Sequence, residues 1–424
     1  MSRLARIVPV LAALVCGALA GRVLWSPMPD AHFGVESALP AVLVENGAGV
    51  AAAAVVAVLV TVALTRRRSL ALTTAVAVAG LLLLVLPEIV RYPGEPAVLL
   101  YANAVAGGLV LGAVSPLAAR ARNTQAALAV GAVGAFLLSG AFAELRHFGT
   151  ADFGWTAYTP LTSVDRAEYV GVVGLWPAVV AAVLVVLTAL VDRRTSWTAR
   201  VDIRWLAAAA ALPVAAFAAN WILMESQARP EWWYPYVGVA LVLVAWIAWQ
   251  MPGRDGQLVL AGAAVLAAAT GGTPWTSTDW WALAIPAALI VAGAVAGLRW
   301  PVPPVGFGLL AVVAAASLVD PDRWDVPAIA YMFLLPAAVG YAVGSCVPTS
   351  APAGTVGLSL PFTVGIPGVV AAAWTITERY ADYAVATPFE RTASISVPAG
   401  AVAVAVIVVC GVGAWGLDLR SRSR

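Results

Sequence analysis

The stretch NGAGVAAAAVVAVLVTVALTRRRSLALTTAVAVAGLLLLVLPEIV, residues 46–90, decides the fold. Arg66, Arg67 and Arg68 stand between two apolar runs. Each run is close to the roughly 20 residues that an α-helix needs to cross the hydrocarbon of a bilayer. A backbone in lipid must satisfy its own hydrogen bonds, so each run reads as a helix and not a strand. The three arginines then form a tight turn on one side of a membrane.

The pattern continues in both directions. Apolar spans recur near 7–25, 43–64, 69–90, 98–119, 125–145, 170–191, 205–225, 235–251, 257–273, 281–298, 304–319, 327–346, 356–375 and 398–417, which is fourteen. Hydrophobic residues make up 62% of the 424 and charged residues 11%. Soluble domains carry about 25% charged residues, so an ordinary globular fold is excluded. The expected architecture is an all-α polytopic transmembrane bundle. Arg3 and Arg6 before an apolar run and Ala18-Leu19-Ala20 also match a signal peptide; the reading adopted keeps this segment as an uncleaved first span. Lysine is absent, and with abundant Ala, Val and Gly this points to a GC-rich, actinobacterial-type genome.

Charge supplies an independent test. With the N-terminus inside and the spans alternating, sixteen arginines fall on the inner side, including Arg66–Arg68, Arg120, Arg122, Arg193, Arg194 and Arg254. Seven fall outside, and Arg22 lies within the first span. The acidic residues run the other way: only Asp192, Asp202, Asp255 and Asp418 fall inside. This follows the positive-inside rule and puts both termini in the cytoplasm of a plasma-membrane protein. Trp25, Trp155, Trp232, Trp233, Trp275, Trp280, Trp281 and Trp324 mark outer span ends, and Trp197, Trp205 and Trp300 inner ones. They read as an interfacial belt, with a sugar-stacking platform as the alternative.

No loop is long enough to hold a catalytic domain, so function is expected in the bundle or at its outer mouth. Ionisable groups inside a membrane are costly and mark pathways by default. The candidates for a substrate or proton pathway are Arg22, Glu45, Asn46, Glu88, Asn103, Glu144, Arg146, Asn220 and Glu225. They fall near outer span ends, where interfacial anchoring or helix pairing is the competing reading. A carboxylate in a dry cavity has a raised pKa, which suits proton coupling. The segment 360–368, with Pro361, Gly365 and Pro367, is a candidate broken helix, or else a packing kink. Glycines such as Gly107, Gly108, Gly112, Gly131, Gly134 and Gly140 could permit close helix contacts.

Cys16, Cys346 and Cys410 show no pairing pattern, and His32 and His147 are far apart, so no metal site and no cofactor is expected. No basic run with interleaved aromatics suggests nucleic acid. The expected partners are the bilayer and a small-molecule or lipid substrate; the sequence names no protein partner.

From the second to the sixth span the layout resembles the major facilitator superfamily, in its fourteen-helix drug-antiporter-like branch. The carriers are Thr65-Arg66-Arg67-Arg68-Ser69-Leu70 running into the third span, the short turn Arg91–Ala97, and the glycines of the fifth span. The diagnostic loop motif is missing: Val62-Ala63-Leu64-Thr65 stands where that family has a glycine and an aspartate. The resemblance implies a six-helix half over 1–204, two linking helices over 205–256 and a second six-helix half over 257–424. It implies a secondary transporter or exporter rather than an enzyme. The alternatives are a lipid-linked precursor flippase, a membrane glycosyltransferase with Asp30 and Glu36 in its outer loop, and a non-transporting subunit of a larger complex.

Overall fold

A computed structural model gives the fold; it describes residues 3–27, 43, 46–90, 96–148, 172–191, 203–225, 233–270, 283–319, 326–365 and 397–422. Every long regular element among them is a helix. There are fourteen: α1 (Arg3–Trp25), α2 (Asn46–Arg67), α3 (Leu70–Val90), α4 (Pro96–Ala118), α5 (Arg122–Phe148), α6 (Leu175–Val191), α7 (Ile203–Glu225), α8 (Trp233–Gln250), α9 (Arg254–Thr270), α10 (Ala284–Arg299), α11 (Pro303–Ala316), α12 (Val326–Ser345), α13 (351–365) and α14 (Val397–Arg422). Each coincides with one of the fourteen apolar runs. Seven are long and apolar enough within the described residues to cross a membrane unaided. The chain is thus an all-α transmembrane bundle. The side carrying the turns α2–α3, α4–α5, α8–α9 and α12–α13 is called the basic face below.

In lipid, helices gain nothing by hiding apolar surface from their neighbours, so close van der Waals contact between small residues must hold them together. The sequence supplies these residues. Gly17 and Gly21 of α1 and Gly131 of α5 let those two backbones meet. On α4, a Cβ at Gly108 would lie 2.6 Å from the Ala53 carbonyl oxygen, and one at Gly112 would lie 2.7 Å from that of Ala57. On α12, Gly340 and Gly344 sit equally tightly against the Ile290 and Ala294 carbonyls of α10. Large apolar side chains such as Leu82, Ile89, Val183, Leu190 and Val242 point outward, as lipid contact requires.

One pattern of neighbours appears twice. In the first six helices, α1 packs on α4, α5 and α6; α4 also packs on α2 and α3, and α3 on α6. Eight helices later, α9 packs on α12 and α14, α12 on α10 and α11, and α11 on α14. Gly262 of α9 against Pro361 and Gly357 of α13 completes the set as the counterpart of α1 on α5. The remaining pair, α7 and α8, touch each other. α7 lies on α2, whereas α8 lies on α9 and α14. Arg420 fastens α14 to α8: its Nη1 donates to the Trp249 carbonyl at 2.7 Å, and its guanidinium lies 5.5 Å from the Trp249 ring centroid.

Candidate functional site

The two groups of helices meet along a seam formed by α2 and α5 on one side and α10, α12 and α13 on the other. Its centre is apolar. Phe136 of α5 and Phe362 of α13 lie with ring centroids 4.4 Å apart and planes tilted by 50°. Gly134 of α5 gives Ile290 of α10 room beside them.

Closer to the basic face the seam turns polar. The hydroxyls of Thr61 (α2) and Thr355 (α13) are 2.9 Å apart, and both residues are fully buried. The Thr61 oxygen also lies 3.0 Å from the Gly112 carbonyl of α4. Thr61 has one proton to give. With that proton on Gly112, the Thr355 hydroxyl donates across the seam; with the Thr61 proton on Thr355, the Thr355 proton turns to Ala351 O of its own helix, 3.2 Å away. Either way no buried hydroxyl is stranded.

At the basic face itself the seam leaves a small, partly open void, with room for about one water molecule. Ser115, Gln125, Leu128 and Ala129 line it from α4 and α5, and Leu258, Pro348, Ser350 and Gly354 from α9 and the start of α13. Beside it, the Asp255 carboxylate accepts from the Thr349 backbone N–H (2.5 Å) and hydroxyl (2.9 Å) through Oδ1. Through Oδ2 it accepts from the Ser350 hydroxyl at 3.0 Å. These bonds cap the turn that opens α13 and set a negative charge at its positive end. Asp255 precedes the apolar span 257–273. Burial pushes its carboxyl above the usual value, and the Thr349 and Ser350 hydrogen bonds pull in the opposite direction. Arg122, ahead of the span 125–145, is lowered by partial burial and by the positive charge of Arg254.

The residues singled out from sequence separate into groups. Arg22, Asn46 and Asn103 lie at one side of the bundle, near the last turn of α1 and the first turns of α2 and α4, away from the basic face. Ser26, one turn beyond Arg22, donates to Asn46 Oδ1 at 3.3 Å, and Arg22 itself is buried. Asn103 is 1% exposed and donates through Nδ2 to the Pro27 carbonyl at 2.9 Å. Its Oδ1 has no hydrogen-bond donor among the described residues. Nearby, the Tyr101 hydroxyl donates to Leu43 O at 2.9 Å. Glu88 lies apart on α3, half-buried, and its Oε2 finds no partner among the described residues. Asn220 is buried on α7. Glu45, Pro367, Asp30 and Glu36 lie outside the described residues, as do the side chains of Glu144, Arg146 and Glu225. α13 runs as helix through Pro361 to Gly365, and Pro361 is buried against α9.

Thr61, Thr355, Gln125 and the Asp255 cap are not singled out by the sequence reading. A threonine in an apolar helix ordinarily satisfies itself on the carbonyl four residues back, as Thr65 does on Thr61 O at 2.6 Å. Nothing in the local sequence separates Thr61 from Thr65; only their neighbours across the seam do.

No family model matches the chain, and no curated protein matches it. Among solved structures, the chain is similar to a bacterial homologue of the human lysosomal transporter Spinster in an inward-facing, unoccupied conformation. The identity is 13%, the match covers 99% of this chain and 98% of that one, and the TM-score is 0.47. It is also similar to the E. coli fucose:proton symporter FucP (13% identity, 97% and 98% covered, TM-score 0.49). A third likeness is to an auto-inhibited POT family peptide transporter (13% identity, 100% and 97% covered, TM-score 0.42).

Proposed function

We propose that this chain is a secondary transporter or exporter of a small or amphipathic solute. In this reading it is a divergent relative of the major facilitator superfamily, with six-helix halves over 1–204 and 257–424 joined by two linking helices over 205–256. The observation that carries the reading is the repeated pattern of helix neighbours, which recurs after eight helices. A repeated unit meeting its copy along a seam is the arrangement that alternating access requires: each half moves as a body, and the seam opens at one face or the other. The seam is suited to this. Its cross-links among the described residues include one hydroxyl pair, one ring pair and small-residue contacts. An interhelical hydrogen bond in a membrane averages about 0.6 kcal/mol and an aromatic pair about 1 kcal/mol. Separating these groups at the basic end is therefore cheap. Glu88, half-buried on α3 with one oxygen lacking a partner among the described residues, is kept as a candidate for the substrate or proton pathway.

The test uses a variant in which Cys16, Cys346 and Cys410 are replaced by alanine and Thr61 and Thr355 by cysteine. Spin labels carried at Asn123 and Trp300 on unnatural residues that do not react as thiols report the distance across the basic face in proteoliposomes. Two distance populations are expected, the longer one vanishing on oxidation of the cysteine pair and returning with dithiothreitol. Efflux of amphipathic dyes or labelled small solutes should stop and recover in parallel. A single distance that ignores oxidation, ion gradients and added solutes would overturn the transporter reading.

A further inference from the structure

Three helices begin at the same place on the basic face. α5 starts at Arg122, α9 at Arg254 and α13 at 351, and the first turns of all three surround the void at the end of the seam. A helix start carries partial positive charge and unpaired N–H groups. Two of these starts add a guanidinium, one from each side of the seam. Both arginines are exposed. One turn below Arg122 on the same helix face lies Gln125, 8% exposed, and its Nε2 is buried without a hydrogen-bond acceptor among the described residues. The other polar groups lining the void are occupied. Ser115 donates to Leu111 O at 2.8 Å, and Ser350 donates to Asp255. Asp255, the acidic residue in the first turn of α9, faces Thr349 and Ser350. Lying in the first turn of α9 and bonded to the turn that opens α13, it offsets the positive ends of both and leaves that of α5.

A buried amide donor without an acceptor among the described residues, the unopposed start of α5, and two arginines set against the single carboxylate of Asp255 form a net positive arrangement with an unfilled donor. We propose that this end of the seam binds a phosphate-bearing anion, held by Arg122 and Arg254 with the Gln125 amide beneath. Arginine suits this because its fork of donors matches phosphate oxygens. The anion is either the headgroup of an anionic lipid or a soluble phosphate. Bridging the two sides, it holds the basic face closed and so biases the conformational equilibrium. This last step rests on the two-half transporter reading, whereas binding itself does not.

The experiment reads binding without transport. In one arm, the full chain in phosphatidylcholine nanodiscs with or without phosphatidylglycerol is analysed by native mass spectrometry for retained phosphatidylglycerol. In the other, thermal unfolding in detergent is followed against inorganic phosphate. Arg122→Gln and Arg254→Gln are each expected to weaken binding about tenfold, as loss of a charged hydrogen-bond partner does. Gln125→Leu should weaken it less. Arg66→Gln, elsewhere on the same face, should leave it intact. Arg122→Lys and Arg254→Lys, which keep the charge, should retain part of the binding and act as controls for folding. Retained phosphatidylglycerol that the double Gln variant loses identifies a lipid headgroup; a phosphate-dependent shift that it loses identifies a soluble anion. No binding in either arm, or binding equally strong in the double Gln variant, overturns the site. The spin-label distances would still decide the transporter reading on their own.

Discussion

At the scale of single residues, three donors converge on the Asp255 carboxylate, two from Thr349 and one from Ser350. Asparagine can keep all three bonds, because the Ser350 hydroxyl can rotate and accept from the new amide. Alanine cannot, and it leaves buried donors unpaired. Asp255→Ala should therefore cost about 3 kcal/mol, and Asp255→Asn less than about 1 kcal/mol, in thermal unfolding. The pH dependence has a definite sign. Burial raises the Asp255 carboxyl above its ordinary 3.8, so the folded chain holds a proton over a range where the unfolded chain has released it. The Asp255 contribution to stability thus falls as pH rises through the window just above 3.8. The wild-type melting temperature should fall through this window relative to Asp255→Asn; parallel curves would remove the argument. Asp255 is visible in the sequence only as one of four acidic residues on an otherwise basic side. Its role depends on Thr349 and Ser350, more than ninety residues downstream, and no local pattern reaches that far. Asn103 stands out in the sequence as an amide inside an apolar run, and in the structure its Nδ2 donates to the Pro27 carbonyl.

At the scale of helices, reading by length and polarity finds every long helix among the described residues. Bilayer thickness sets a length that short loops and arginines then delimit. Helix faces were harder. In a chain so rich in alanine and glycine, small residues four apart arise by chance, and the sequence does not tell Gly108 and Gly112 from Gly107. The structure separates them by what stands opposite. Gly112→Leu would drive its side chain into the α2 backbone at Ala57. It should cost about 3 kcal/mol or more, as overpacking in a fixed backbone contact does. Gly308, in the middle of α11, faces open space: a Cβ there would meet nothing within 4 Å. Gly308→Ala should be neutral or gain up to about 1 kcal/mol from helix propensity. Thermal unfolding of the two variants in one detergent checks both expectations. Equal stability of the two would show that the α2–α4 contact is looser than described.

At the scale of the whole molecule, the inside-outside assignment rests on arginine asymmetry, and the helix count agrees with its even parity. Single cysteines placed at 66–68, in a background without Cys16, Cys346 and Cys410, should resist an impermeant maleimide in intact cells. Cysteines at 152–165 should label. The reverse result would invert the orientation. No sequence motif carries the repeated neighbour pattern: Gly108 and Gly112 on α4 do for α2 what Gly340 and Gly344 on α12 do for α10, amid different residues.

The pair α7 and α8 has a consequence for the membrane itself. α7 rests on one group of six helices and α8 on the other, and their outward residues, among them Trp221, Ile222, Val242 and Trp246, are broadly exposed. Any rotation of one group against the other must slide α7 past α8 within the lipid. If the proposed transporter alternates between two conformations, its footprint in the plane of the bilayer changes with them. Lateral pressure and acyl-chain length act on that footprint as surely as a solute acts on a pocket, so a change of lipid chain length alone should shift the balance between conformations.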